Sequence, residues 1–228
     1  MIIKKAAALL ALLLLLAEGS YAQRRGGGGV YGIRRPDSHS FTGSFTFCRI
    51  AFRSAYDGDG GGWGVDYPRA DQYTSEDGGR VEEDVALRAY LQKGGFLWAD
   101  DAWRSYSWDH WVAEIRKVLP ETDYPLVDLP MNHSVFHTLF DVKRIPQIPN
   151  IGFYQRSGGR TSERGSDSGQ ARAVAILDSQ GRVMVLTTHN TDFGDAYERE
   201  GDDPEYFLKF SVEGYAVGIN VLLYAMTH

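Results

Sequence analysis

The first half of the domain shows strand and helix periods in alternation. Residues 44–53 carry apolar side chains on both faces of an extended chain, which predicts a strand in a covered sheet. Apolar positions at helical spacing over residues 84–91 predict a helix that ends at Gly94. Residues 96–99 are a short, unbroken apolar run, which predicts a buried strand. This order is typical of an α/β domain.

The second half continues this alternation. Residues 108–119 have one apolar face and predict an amphipathic helix that ends before Pro120. Residues 171–188 read as a β-hairpin, with Gly181 at a left-handed turn position. Asp203 followed by proline predicts the start of a long helix that runs to Met226.

Polar side chains follow the predicted strands. Asp100 and Asp101 come directly after residues 96–99, and His189 and Asp192 follow the second arm of the hairpin. In open parallel sheets, ligands gather at the carboxyl ends of the strands. These four residues and His133 are therefore the candidate catalytic residues. Adjacent side chains on a strand point to opposite faces, so the two aspartates converge only if the strand has already ended.

A second group of polar and aromatic residues forms the ligand-binding candidates. They lie in the glycine-rich loop over residues 54–83 or just beyond the strand ends: Trp63, Asp66, Tyr67, Trp103 and Asn190. The alternative is structural: the loop aromatics pack on the domain, and the aspartates cap helices or bind loop amides.

The amino terminus resembles an export signal. Residues 1–22 join two lysines, an apolar run and small residues at −3 and −1 of a cut before Gln23. The apolar run is too short to span a bilayer, so no stable membrane insertion is expected after cleavage. Residues 23–40 form a flexible linker rich in glycine and arginine, and residues 41–228 a single domain. We therefore expect a periplasmic or secreted protein.

Charge and motifs exclude several classes of function. The net charge is −6, which argues against nucleic acid as the partner. The single cysteine, Cys48, lies in a predicted strand and cannot form an internal disulfide. No strand-to-helix elbow carries a nucleophilic serine or cysteine.

Several segments resemble a known prokaryotic family, domain of unknown function 4159. They include KGGFLWADD, RVMVLTTHNTDFGDAYERE and the carboxyl-terminal EYFLKFSVEGYAVGINVLLYAMTH. The resemblance implies a flavodoxin-like three-layer sandwich with a mostly parallel sheet, of the class I glutamine amidotransferase-like superfamily. It transfers no chemistry, because the family has no established activity and Cys48 is not at the elbow of the catalytic amidotransferases. The link over residues 72–83 is short, so the domain either lacks one central strand and repacks, or the gene is damaged.

Two functions remain open. The preferred one is a non-catalytic binding or envelope-assembly protein, whose partner is an unknown small molecule or an envelope protein. The alternative is a hydrolase that works by acid–base chemistry or through a divalent metal held by carboxylates and histidines at the strand ends.

Overall fold

Four strands form an open sheet in the part of the chain that the computed structural model describes, residues 79–228. They are β1 (Leu97–Ala102), β2 (Leu126–Asp128), β3 (Arg172–Leu177) and β4 (Val183–His189), and their order in the sheet is β1-β4-β3-β2. The predicted signal, the linker, the strand over residues 44–53 and the loop candidates Trp63, Asp66 and Tyr67 lie outside the described residues.

The described sheet is mixed, with one parallel pair and two antiparallel pairs. β1 runs parallel to β4, with Leu97 opposite Val185. β3 and β4 form the predicted hairpin, and Gly181 turns it with φ 81°. β2 is antiparallel to β3 as well. The expectation of a mostly parallel sheet is therefore not met among these strands, because a tight hairpin turn can join only antiparallel neighbours.

Two helices cover one face of the sheet. They are α1 (Gly79–Gln92) and α2 (Arg104–Val118). Their buried residues Leu91 and Ile115 join Val185 of β4 in one apolar cluster. α2 begins four residues before the predicted start, and Trp111 on it donates a hydrogen bond from Nε1 to Thr187 Oγ1 at 3.0 Å. Near the end of β4, the odd-numbered residues Val185, Thr187 and His189 point towards this face.

The other face is covered by the carboxyl-terminal half of the chain. A larger apolar cluster joins Leu186 of β4 to Phe193, Tyr206 and Val217. The remaining elements are short 3₁₀ turns at Ser134–Phe136 and Gly165–Ser168, the helices α3 (Ile151–Arg156), α4 (Phe193–Glu198) and α5 (Pro204–Tyr206), a π-helical segment at Phe207–Ser211 and α6 (Val212–Thr227).

The last helical run confirms the predicted long helix. Asp203 caps it, with Oδ1 accepting from the N–H groups of Glu205 and Tyr206 at 2.8 and 3.2 Å. Gly214 and Gly218 allow α6 to lie close to α4, because a Cβ at either would meet Ala196 or Tyr197. None of the helices in residues 79–228 is long and apolar enough to cross a membrane.

Candidate functional site

The carboxyl ends of β1 and β4 lie side by side, as parallel pairing requires. Ala102 is opposite His189, but the register shifts between Ala99 and Ala102. Within that irregularity Asp101 has φ 65°, a left-handed conformation. The regular alternation of side chains is broken there, so Asp100 and Asp101 both reach one group of acids instead of pointing to opposite faces.

Asp100 is held by two donors from neighbouring segments. Its Oδ1 accepts a hydrogen bond from the hydroxyl of Thr188, and its Oδ2 accepts from the backbone N–H of Phe193 at 2.6 Å. Thr188 in turn accepts from Trp98 Nε1 at 2.9 Å. Asp100 therefore joins β1, β4 and the start of α4, and both of its oxygens already have donors.

Asp101 is the more accessible of the two aspartates. Its Oδ1 accepts from Trp103 Nε1 at 2.9 Å, while the residue as a whole stays exposed. Trp103 itself is 2% exposed, so it belongs to the core and does not present a surface to a ligand. The prediction of Trp103 as a ligand-binding residue is therefore not supported, because the indole is buried and its N–H donates to Asp101 inside the fold.

Three further acids, Glu163, Asp192 and Asp195, interact electrostatically with Asp100 and Asp101. We call these five residues the carboxylate cluster. The three added acids also accept hydrogen bonds from backbone N–H groups. Asp192 Oδ1 accepts from Asp195 N at 2.9 Å and so caps α4. Asp195 Oδ2 accepts from Ile151 N at 2.8 Å, and Glu163 Oε1 accepts from Asn150 N at 2.6 Å. The cluster thus anchors the first turns of both α3 and α4.

Burial and mutual repulsion favour the protonated forms of three of these acids, Asp100, Asp101 and Asp192. Burial and the charge of Asp192 raise the pKa of Asp100 to about 7, against the opposing effect of its two donors. Burial and the charges of Asp101 and Asp195 raise the pKa of Asp192 well above its usual range. The pKa of Asp101 is also raised, chiefly by partial burial of its carboxylate and next by the charge of Asp100. The residue as a whole nevertheless remains solvent-accessible. The neighbouring charges that act most strongly on these three groups are all negative.

Left-handed backbone is concentrated at this edge of the sheet. Among the described residues, Asp101, Arg104 and Asn190 are the three with positive φ that are not glycine, at 65°, 66° and 59°. Asn190 is tied to the end of β1 and to Arg104, because Asn190 N donates to Ala102 O at 2.8 Å and Arg104 N donates to Asn190 Oδ1 at 2.8 Å. Such conformations cost of order 1–3 kcal/mol each and often mark functional sites.

Asn190 uses its side chain to hold loops together. Besides accepting from Arg104 N, it donates from Nδ2 to Gln170 O at 3.0 Å, and it is 6% exposed. Its role as a ligand-binding candidate is therefore not supported, because both ends of the amide are engaged inside the protein. Asp195 is buried as well, at 7% exposure.

His189 lies at the same edge but on the opposite face. Its Nδ1 accepts from Arg172 Nε at 3.2 Å, and Nε2 donates to Arg104 O at 3.2 Å. Its ring lies 4.8 Å from that of Trp108 on α2. Burial and the charge of Arg172 lower the pKa of His189. The expected grouping of His189 with the aspartates is therefore wrong, because it faces α2 while Thr188 faces the cluster.

His133 lies elsewhere in the fold. It caps the short 3₁₀ turn through a hydrogen bond from Val135 N to Nδ1 at 3.2 Å. Its ring is 5.9 Å from that of Tyr224, whose hydroxyl accepts from Val183 N, at the opposite end of β4 from His189. Within residues 79–228, no group of three or more histidine, cysteine, aspartate or glutamate side chains is placed to hold a metal ion.

The structure adds two acids that the sequence reasoning missed. Asp195 had a local signal, because it stands three residues after Asp192, the spacing of a helix cap and its first turn. Glu163 had none. It comes from the polar segment over residues 156–170. This segment is tied to the domain, because Gln147 Nε2 donates to Ser168 O at 2.8 Å.

Comparison with known proteins gives one match. The family model described as a domain of unknown function, DUF4159, matches residues 80–226, which is more than half of the chain and includes the whole carboxylate cluster. No curated protein and no solved structure matches the chain. The match confirms the family that the sequence motifs indicated: the chain belongs to the DUF4159 family, whose function is uncharacterised.

Proposed function

We propose that this chain is an exported, non-catalytic binding or assembly protein whose carboxylate cluster receives a positively charged group of its partner. The observation that carries the proposal is the grouping of five acids at the end of the β1/β4 pair, three of them with raised pKa values caused partly by each other. An ammonium or guanidinium group placed there would relieve this repulsion. Such a group is found on small amines and on lysine or arginine side chains of an envelope protein.

Asp101 is the residue that would meet the ligand. It is exposed, and one of its two oxygens accepts from Trp103. Asp100 and Asp192, in contrast, are committed to Thr188, Phe193 and Asp195. A bound cation would favour the ionised forms of the buried acids, and Asp101 would make the direct contact.

The hydrolase alternative has weaker support in this geometry. A general acid must present its proton to the substrate, but both oxygens of Asp100 accept hydrogen bonds from within the fold. The nearby imidazole of His189 lies on the opposite face, with Arg172 on its Nδ1. Support for a shared acid–base pair is therefore lacking, although the pKa of Asp100 itself, about 7, lies in the range that such catalysis uses.

A cationic probe tests the binding proposal. We expect spermidine at about 1 mM to raise the melting temperature of the purified protein, because a ligand that binds only the native state stabilises it. The shift should fall strongly in Asp101→Asn and persist in Asp123→Asn, a matched change at an exposed aspartate between α2 and β2. Calorimetry in two buffers of different ionisation enthalpy should detect protons released on binding.

Equal shifts in all three proteins, or no shift in any, would contradict the proposal. Hydrolysis of a chromogenic ester that is lost in Asp100→Asn but kept in Asp123→Asn would favour the hydrolase instead.

Export and the complete fold are part of the same proposal. Export rests on residues 1–22, and cell fractionation with amino-terminal sequencing should find a mature chain that begins at Gln23. Recovery of the uncleaved chain in the cytoplasm would refute it. For residues 41–228 we propose the flavodoxin-like, amidotransferase-like fold, which is supported by the parallel β1/β4 pair and by helices on both faces of the sheet. An experimental structure of the whole domain tests this arrangement.

A further inference from the structure

The segment that joins α3 to β3 has no apolar side chain, and we call it the strap: residues 157–169, SGGRTSERGSDSG. It leaves α3 through Gly158 and Gly159, whose φ angles of 73° and 86° suit glycine without strain. Within the strap only Ser168 is buried, and the other residues are exposed or half-buried. Polar contacts, rather than apolar burial, therefore hold the strap on the domain, and such segments open at low cost.

The strap crosses the edge of the sheet from one face to the other. Glu163 Oε1 accepts from Asn150 N at 2.6 Å, directly before α3, and Tyr154 of α3 packs in the larger apolar cluster. Asp167 accepts hydrogen bonds from the backbone N–H of Ser105, at 3.3 Å, and from its hydroxyl, in the first turn of α2 on the opposite face. The crossing lies beside the carboxylate cluster, because Glu163 belongs to that cluster.

Internal contacts make the strap one unit. Gln147 holds both halves of it, because Thr161 Oγ1 donates to Gln147 Oε1 at 2.8 Å and Gln147 Nε2 donates to Ser168 O at 2.8 Å. Ser168 Oγ also accepts from Arg164 N at 2.8 Å. We therefore expect the strap to open and close cooperatively.

The two acids of the strap have opposite surroundings. Hydrogen bonds from Ser105 hold the pKa of Asp167 below its usual range, so the contacts at this end favour the closed strap. Glu163, in contrast, lies near Asp101 and Asp192, and its negative charge helps to raise the pKa of both. Repulsion at the Glu163 end therefore opposes closure as these acids ionise.

We propose that the strap is a gate over the carboxylate cluster, and that a cationic ligand closes it by lying between Glu163 and Asp101. The inference rests on the proposed function, and it adds a second contact residue and a moving part to that site. A cation between two carboxylates removes their repulsion and is attracted to each of them. The closed strap is therefore the state that the ligand stabilises.

Limited digestion with trypsin tests the gate, because the strap carries two cleavage sites, Arg160 and Arg164, and cleavage requires local opening. The protein is digested at about pH 8.5, where more of the cluster is ionised, with and without about 1 mM spermidine. We expect spermidine to slow cleavage at both sites by about threefold in the wild type. In Glu163→Gln this protection should disappear, although the new side chain can still accept from Asn150 N. Cleavage of a small peptide in the same tubes corrects for any effect of spermidine on trypsin.

The Asp167 end gives a second test that needs no ligand. Asp167→Asn should speed cleavage at Arg160 and Arg164 by about tenfold, because an amide accepts from Ser105 less strongly than a carboxylate does. The melting temperature should change by less than about 2 °C, because only the strap opens. Asp123→Asn, at an exposed site outside the strap, is the matched control and should behave like the wild type in both tests.

Several results would overturn this proposal. If spermidine raises the melting temperature without slowing cleavage, the proposed function stands and the gate fails. If spermidine changes neither, both fail. Equal protection in Glu163→Gln would show that closure does not act through this residue. A wild-type cleavage rate in Asp167→Asn, or a melting temperature that falls as cleavage speeds up, would mean that the strap does not open by itself.

Discussion

The raised pKa of Asp100 makes a signed prediction about stability. An acid whose pKa is higher in the folded state than in the unfolded state binds its proton more tightly when folded. Its favourable contribution is therefore fully present below the unfolded pKa of 3.8, and it is lost as the pH rises through the folded value of about 7. Because of Asp100, wild-type protein should accordingly lose stability between about pH 4 and about pH 7.

The magnitude follows from the size of the shift. A rise from 3.8 to about 7 is about three units, and each unit corresponds to about 1.4 kcal/mol, so the ceiling for Asp100 is about 4 kcal/mol. The neutral isostere Asn cannot ionise, yet its oxygen can still accept from Phe193 N and its amide can donate to Thr188 Oγ1. In wild-type protein the free energy of unfolding falls as the pH rises, and Asp100→Asn should reduce this fall by up to about 1 kcal/mol per pH unit. The substitution should therefore stabilise the protein by about 1–3 kcal/mol at pH 8.

Urea unfolding of the wild type, Asp100→Asn and Asp123→Asn at four pH values between about 5 and about 8 provides the assay. The control should keep the wild-type slope. Part of the slope should persist in Asp100→Asn, because Asp101 and Asp192 also have raised pKa values. If Asp100→Asn is less stable than wild type at pH 8 and the slope is unchanged, Asp100 is ionised in the native state and its two hydrogen bonds outweigh its burial.

Three further substitutions test packing and helix capping elsewhere in the fold by urea unfolding at neutral pH. Gly218→Ala should destabilise by about 1–3 kcal/mol, because the new Cβ would lie 2.3 Å from the Tyr197 hydroxyl, whereas Gly169→Ala, with its nearest atom at 3.7 Å, should be nearly neutral. Asn220→Ala should cost about 2–4 kcal/mol, since this buried amide also donates to Phe136 O at 2.7 Å and Phe140 O at 2.8 Å; the exposed Asn132→Ala is its control. Asp203→Ala should cost about 1 kcal/mol by removing a helix cap, and a change as small as that of Asp202→Ala would contradict this role.

Local signals were sufficient where neighbouring residues decide the structure. The hairpin around Gly181 and the helix capped by Asp203 both follow from the residues at their turns, and both are present. The direction of the sheet was harder to predict. β2 pairs antiparallel with β3 through residues distant in the chain, and nothing within β2 specifies its partner.

For the candidate site, the sequence predicted the edge of the sheet but not the face. Asp100 and Asp101 were expected to follow the strand, but β1 extends through both of them to Ala102. His189 is the last residue of β4, and the parallel β1/β4 pair brings these segments side by side. Thr188 and His189 are consecutive and must point to opposite faces, so only one of them can reach Asp100. The structure selects Thr188, and no local feature of the sequence distinguishes that register from its neighbour.

Asp100 and Asp101 are adjacent in the chain, but their surroundings give them different roles. Asp100 is held by two donors and joins three segments, so its substitution should act on stability and its pH dependence. Asp101 lies in a left-handed irregularity of the strand, is exposed and bonds Trp103 through one oxygen, so its substitution should act on binding of a cationic probe. Separate effects of Asp100→Asn and Asp101→Asn would support a site with a buried acid and an open contact residue. If each substitution changed both properties equally, the cluster would instead behave as one coupled unit, and the assignment of binding to Asp101 would fail.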